Sequence, residues 1–295
     1  MIPASFEYVR PADLDGALRI LAEREGEAKI LSGGYSLLPL LKLRLAAPAL
    51  LVDLRDVAGL DGIRRTDDDF RIGGRASHRR IHEDEGLARA WPIVHEASGG
   101  IGDPQVRNWG TIGGSCAHAD PSSDWPAVLL ALRGSLVCRS GKGERVIAAR
   151  DFFLDTFTTA IEPTEVLTEV RIPIPSARTG SAYHKLERRV GDFATVGAAA
   201  VLTLGDDGRI ASAGIGLTAV AETPFAATDA EEALVGKPAT DETFRAAGAA
   251  AAAQSRPGTD SHGPADYKRA MVAEMTLRAL RASADRARGA EGTQQ

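Results

Sequence analysis

The spacing of apolar residues along the chain divides it into three stretches. From Pro11 to Ala22 apolar positions recur at helical spacing behind Asp13, a residue type suited to cap a helix N-terminus, so this segment is expected to be helical. Ala28 to Leu31 and Leu50 to Leu54 are short continuous apolar runs and predict strands. Between them Leu37 to Leu45 has helical character, with Pro39 in the first turn, where a missing N–H costs nothing. Residues 1–57 therefore read as a small βαβ-like unit, with Gly33-Gly34 turning the chain at the end of a strand.

The second stretch, 58–176, mixes strands with short helices. Phe70 to Gly74 predicts a strand, and Ser77 to Ala90 one helix. Asp124 to Leu132 predicts a buried helix opened by an Asp124 cap. Ser135 to Arg139, Glu144 to Ile147 and Val166 to Ile172 predict strands punctuated by Gly141, Gly143 and Pro163, and Pro173 to Gly180 reads as a linker. The third stretch, 177–288, opens with strands expected at 182–188, 194–204 and 209–218, the last two joined by an Asp206-Asp207-Gly208 hairpin. Helices follow at 229–234, 241–254 and 265–282, and the tail 289–295 is expected to be disordered.

Composition narrows the function classes. The chain has 295 residues, 44% of them hydrophobic and 25% charged, with a formal net charge of −5. That balance gives no reason to expect nucleic acid or an anionic membrane as partner, and arginines occur in scattered pairs rather than a stripe. No apolar run approaches the length of a transmembrane segment, and Met1 leads into Pro3 and Glu7 rather than a signal-type leader. Two cysteines, Cys116 and Cys138, cannot form a disulfide framework, which points to a reducing cytoplasm.

The chemistry-bearing pattern is a pair of glycine loops, Ser32-Gly33-Gly34-Tyr35-Ser36 and Thr111-Ile112-Gly113-Gly114-Ser115, about eighty residues apart. Backbone without side chains, flanked by small hydroxyl residues, can close around phosphate oxygens with several N–H groups. Neither a Walker lysine nor a G-x-G-x-x-G accompanies them, so the reading is a pyrophosphate gripped from two sides. Each loop alone is more often a plain turn, and Asp124 alone more often a plain helix cap.

Collinear runs then carry a family resemblance. They are Gly33 to Pro39, Leu43 to Ala46, Val52 to Arg55, Gly102 to Asn108, Thr111 to Ser115, Asp120-Pro121 with Asp124, Ile161 to Pro163 and Gly191 to Thr195. The chain resembles the FAD-binding medium subunits of the molybdenum hydroxylases (the xanthine dehydrogenase family), and among them most the aerobic carbon monoxide dehydrogenases. The resemblance implies an α+β chain: a two-part FAD-binding domain of the vanillyl-alcohol-oxidase/p-cresol-methylhydroxylase type, then a small domain with a three-stranded antiparallel sheet. It assigns the pyrophosphate to residues 32–36 and 111–115, and sets Gly100, Ile101 and Asp124 along the cofactor. Lys185 and Phe193 fall near the flavin. Tyr35 and Phe193 stand where the family often has His and Tyr. The partners implied are a molybdenum large subunit and a [2Fe-2S] small subunit in a doubled heterotrimer, with an external acceptor such as a quinone or NAD.

Other residues lose weight on inspection. His78 and His82 stand four apart on the expected helix but lack a third ligand, and two cysteines cannot supply the four ligands of an iron–sulfur cluster. An alternative function is a self-sufficient flavoenzyme acting on its own small substrate. It needs an acid or base over the flavin, and His118, His184 and Glu187 are the candidates.

Overall fold

The structure is a computed structural model, and it describes residues 2–289. The N-terminal sheet is parallel, in the order Glu7–Val9, Leu50–Asp53, Ala28–Leu31. The buried middle strand pairs with both neighbours, and the helix Leu14–Glu23 covers it with Ala17, Leu18 and Leu21. Asp13 caps that helix by accepting from the Gly16 amide at 2.7 Å. The helix after the glycine turn ends at Lys42, earlier than the pattern predicts, because Arg44 takes up a left-handed backbone at φ 57°.

The second unit is a five-stranded antiparallel sheet ordered Ile63–Arg65, Asp69–Gly73, Val166–Pro173, Ser135–Ser140, Gly143–Ala148. Its core joins Phe70, Ile72, Leu136 and Val170 to Ile93, Ile112, Trp125 and Leu129 from the covering helices. The single helix expected over Ser77 to Ala90 is two, His78–His82 and Glu85–Ala90. Asp84 breaks it by turning its carboxylate to the Leu87 amide, at 2.8 Å, and so starts a new helix.

The C-terminal sheet runs Thr179–Leu186, Val196–Leu204, Ile210–Thr218, Phe225–Ala226, all antiparallel. It has four strands, not three: Phe225–Ala226 pairs with Leu217 and Gly216 and is too short to leave a periodic signal. The helices Thr228–Leu234, Asp241–Gln254 and Ala265–Gly289 pack on it and bury Leu234, Phe244, Val272 and Leu280. The last helix outruns its expected end by continuing through small and basic residues to Gly289, and the rest of the expected disordered tail lies outside the described residues.

One helix links the second unit to the third. Asp124–Ala131 is buried at every position. Its carbonyls at Ala127 and Ala131 lie against Gly216 and Gly214, where any Cβ would overlap them. Only glycine lets strand and helix come this close. Among the described residues, no helix is long and apolar enough to cross a membrane.

Candidate functional site

The two glycine loops meet. Ser32 Oγ and Thr111 Oγ1 are 3.0 Å apart, within hydrogen-bond distance. Gly33 lies on the backbone of Trp109 and Gly110, and a Cβ there would overlap the Trp109 carbonyl. Gly113 lies in the same way against the Gly74 carbonyl. The sequence reading gave both glycines to ligand access; what they permit here is the close approach of one protein segment to another.

The loops differ in the donors they leave free. In the second, every amide from Ile112 to Ser115 already has a protein acceptor: Ala76 O, Gly74 O, Thr111 Oγ1 and Thr111 O in turn. In the first, the amides of Gly33, Gly34, Tyr35 and Ser36 have no acceptor among the described residues. The Ser36 hydroxyl makes no capping bond, and Gly34 holds φ 89°, a conformation that costs glycine little. The first loop thus offers amides and the second offers hydroxyls.

From that corner a polar seam continues. Ser115 Oγ is 2.7 Å from Ser123 Oγ, and Asp124 follows. Asp124 is the first residue of its helix, not the cap; Ser123 occupies the cap position without a side-chain bond. The Asp124 carboxylate instead accepts from the Tyr183 hydroxyl and, at 3.1 Å, from Lys185 Nζ. The same ammonium donates to Gly100 O at 3.1 Å and lies 3.4 Å from Glu187 Oε2. Burial pushes the Asp124 carboxyl above its ordinary range, against the opposing pull of Lys185. Burial, with Asp124 alongside, holds the Tyr183 phenol far above its usual value, so it stays a donor. Gly191, at φ 85°, rests on the Gly102 carbonyl. The exposed Phe193 therefore rides a turn seated on the one that carries Gly100 and Ile101.

Several residues flagged by sequence have structural partners. His78 is buried and its Nδ1 accepts from Trp125 Nε1–H at 3.0 Å; burial lowers its pKa to about 4. His82 stacks on His95, centroids 3.9 Å apart, with each ring nitrogen near the other's carbonyl. His118 packs against Phe157, and burial lowers its pKa. Cys116 and Cys138 are buried and free; burial pushes the Cys138 thiol up to about 12 and Cys116 higher still.

The family model for the FAD-binding domain in molybdopterin dehydrogenase matches residues 4–175, and that for the CO dehydrogenase flavoprotein C-terminal domain matches 181–283. The chain belongs to the FAD-binding flavoproteins of the molybdopterin dehydrogenases. It is similar to the carbon monoxide dehydrogenase medium chain of Afipia carboxidovorans, 43% identical over 98% of this chain and 100% of that one. It is also similar to subunit alpha of the 6-hydroxypseudooxynicotine dehydrogenase complex of Paenarthrobacter nicotinovorans, at 37% over 98% of this chain and 97% of that one. Among solved structures, the reconstituted CO dehydrogenase from Oligotropha carboxidovorans superimposes with a TM-score of 0.94 at 43% identity, covering 97% of this chain and all of that one. Quinoline 2-oxidoreductase from Pseudomonas putida 86 gives 0.91 at 36% identity, covering 97% and 99%.

The residues of this flavoprotein suit the cofactor. Four unpaired amides and three hydroxyls (Ser32, Ser36, Thr111) at one corner are the donor set that a diphosphate accepts from. Tyr183, Ser123 and Glu187 were missed by sequence reasoning as members of one cluster. A signal was present: Tyr183, Lys185 and Glu187 alternate along the first C-terminal strand and its end, so they share a face.

Proposed function

We propose that this chain is the electron-transfer FAD subunit of a multi-subunit molybdenum hydroxylase of the carbon monoxide dehydrogenase type. Electrons arrive from a [2Fe-2S] small subunit, fed by a molybdenum large subunit, and leave to an external acceptor such as a quinone or NAD. The observation that carries the reading is the seam itself, from the free amides at 33–36 through Ser32–Thr111 and Ser115–Ser123 to Asp124–Lys185–Gly100. Residues 32–36 and 111–115 hold the diphosphate. Gly100, Ile101 and Asp124 line the length of the cofactor, and Lys185 and Phe193 border the flavin. When bound, FAD supplies a centre that takes electrons singly and passes them on in pairs.

The names of the relatives span carbon monoxide, quinoline and a nicotine derivative, although the flavoproteins are alike over nearly their full length. That spread supports the reading that substrate choice lies in another polypeptide. Two cysteines, both buried with thiols held protonated, cannot ligate an iron–sulfur cluster, so that centre belongs to a partner. The wider reading is a two-part FAD domain of the vanillyl-alcohol-oxidase type over 1–57 and 58–176, a C-terminal domain over 177–288, and a doubled heterotrimer in the cytoplasm.

Reconstitution tests this. The purified chain should carry one FAD released by acid, and should oxidise neither CO, aldehydes nor N-heterocycles with a dye acceptor. Activity should appear only with both partner subunits. Substrate turnover by the pure chain overturns the proposal and promotes the self-sufficient flavoenzyme.

A further inference from the structure

Beside the Ser32–Thr111 corner, in the cleft between the first two units, lies a cavity of about 280 Å³ walled by three arginines, Arg55, Arg75 and Arg80, with Asp61 and Trp109. Its wall includes Ser32 and Thr111 but none of Gly34, Tyr35, Ser36 or the Asp124 cluster. It is thus a neighbour of the cofactor seam that shares two hydroxyls with it.

The arginines are under-committed. Arg80 faces Asp61 at 3.5 Å, both more than half exposed. Arg55 lies 3.2 Å from Asp53, but that carboxylate also accepts from the Tyr8 hydroxyl at 2.7 Å and the Arg55 amide at 2.9 Å. Among the described residues the Arg75 side chain has no carboxylate within ion-pair range; its one side-chain hydrogen bond is a 3.5 Å contact to Val57 O, and its Nε is buried without a partner. A buried guanidinium donor with nothing to donate to is costly unless an anion arrives, and the planar fork suits an oxyanion bound through two oxygens.

The Ser77 hydroxyl and the Asn108 amide add donors that the diphosphate corner does not use. Against this stands one carboxylate in the wall, Asp61. A phosphate group accepts more such bonds than a carboxylate does. The cavity is several times larger than one oxyanion, and the half-exposed Trp109 ring, with the Arg55 guanidinium 5.6 Å from its centroid, forms a flat wall.

We propose that this cavity binds the phosphate group of a phosphorylated small molecule, distinct from FAD, with Arg75 as the principal ligand and Trp109 against the organic part. The site extends the FAD reading without depending on it, because FAD content and phosphate binding are measured separately.

The test titrates inorganic phosphate, then adenosine monophosphate, into the purified chain with and without FAD, followed by calorimetry and by phosphorus NMR line width. Saturable binding to the FAD-loaded chain is expected, with adenosine monophosphate bound at least as well as phosphate. Arg75→Gln should weaken it tenfold or more and Arg80→Ala by several fold, while Arg89→Ala, an exposed arginine outside the cavity, should change nothing. Four results overturn the proposal: no saturable binding, equal binding by Arg75→Gln, exclusion of the nucleotide, or binding only after FAD is stripped. The last would make the cavity part of the cofactor's own site.

Discussion

Replacing Gly33 by Ala tests whether the two loops must touch. An added Cβ would stand 2.9 Å from Gly110 Cα and 2.9 Å from the Trp109 carbonyl carbon, and would overlap the Trp109 oxygen. Ordinary carbon–carbon contact needs about 3.5–4.0 Å, so the segments must part by roughly 0.6–1 Å. The 109–110 backbone cannot yield easily: Gly110 N–H donates to Val106 O at 2.7 Å and Gly110 O accepts from the His78 amide at 3.0 Å. Parting the loops by that distance breaks the 3.0 Å Ser32–Thr111 hydrogen bond. That loss is worth about 1 kcal/mol. Overpacking adds about 1–3 kcal/mol, for a total near 2–4 kcal/mol. Gly62→Ala is the control: its Cβ meets nothing within 4 Å and its φ is ordinary. FAD per chain after gel filtration and the thermal midpoint, measured for both variants, decide the matter. Gly33→Ala should lose most of its FAD and melt lower, with Gly62→Ala unchanged. Equal FAD and equal midpoints in the two would refute the claim that loop contact builds the site.

Three further outcomes are expected. Tyr183→Phe removes a buried donor to Asp124 and should cost about 1–3 kcal/mol in urea unfolding, with weaker FAD retention; wild-type stability would sink it. Gly216→Ala drives a Cβ into the Ala127 carbonyl and should cost about 3 kcal/mol or prevent folding, read as loss of soluble, cooperatively melting protein. His78 gives a pH signature: burial holds its folded pKa at about 4, below the ordinary imidazole value of 6.5. The stability from burying it neutral is complete above pH 6.5 and is lost as pH falls toward 4, about 3 kcal/mol in all. His78→Gln should flatten the acid limb of the melting curve against pH, and a limb identical to wild type would refute this.

The sequence legibly announced elements whose pattern is local. Strands at Ala28–Leu31 and Leu50–Asp53, the buried helix from Asp124, and the three long C-terminal strands fall where apolar periodicity predicts, within a few residues. Short helices such as Pro104–Trp109 were not legible, since six residues carry no period. The site was legible as glycine loops but not as a geometry. Which amides remain free depends on Gly74, Ala76 and Trp109, and nothing local to 111–115 reveals that Gly113 leans on Gly74. Asp124 misled most: after Ser123 and before Trp125-Pro126 it looks like a cap, yet a phenol and an ammonium about sixty residues away claim its carboxylate.

The helix Asp124–Ala131 leaves no room for a hinge. Its carbonyls rest on Gly214 and Gly216, while its first residue is clasped by Tyr183 and Lys185 from the same sheet. The C-terminal sheet therefore cannot swing open and leave the far end of the seam intact. Any route by which a dinucleotide enters or leaves must either slip between the first two units or wait for that helix to detach. In the second case exchange would share its rate with the loss of amide protection along residues 124–131, and the lifetime of the loaded state would be a property of folding kinetics rather than of a door.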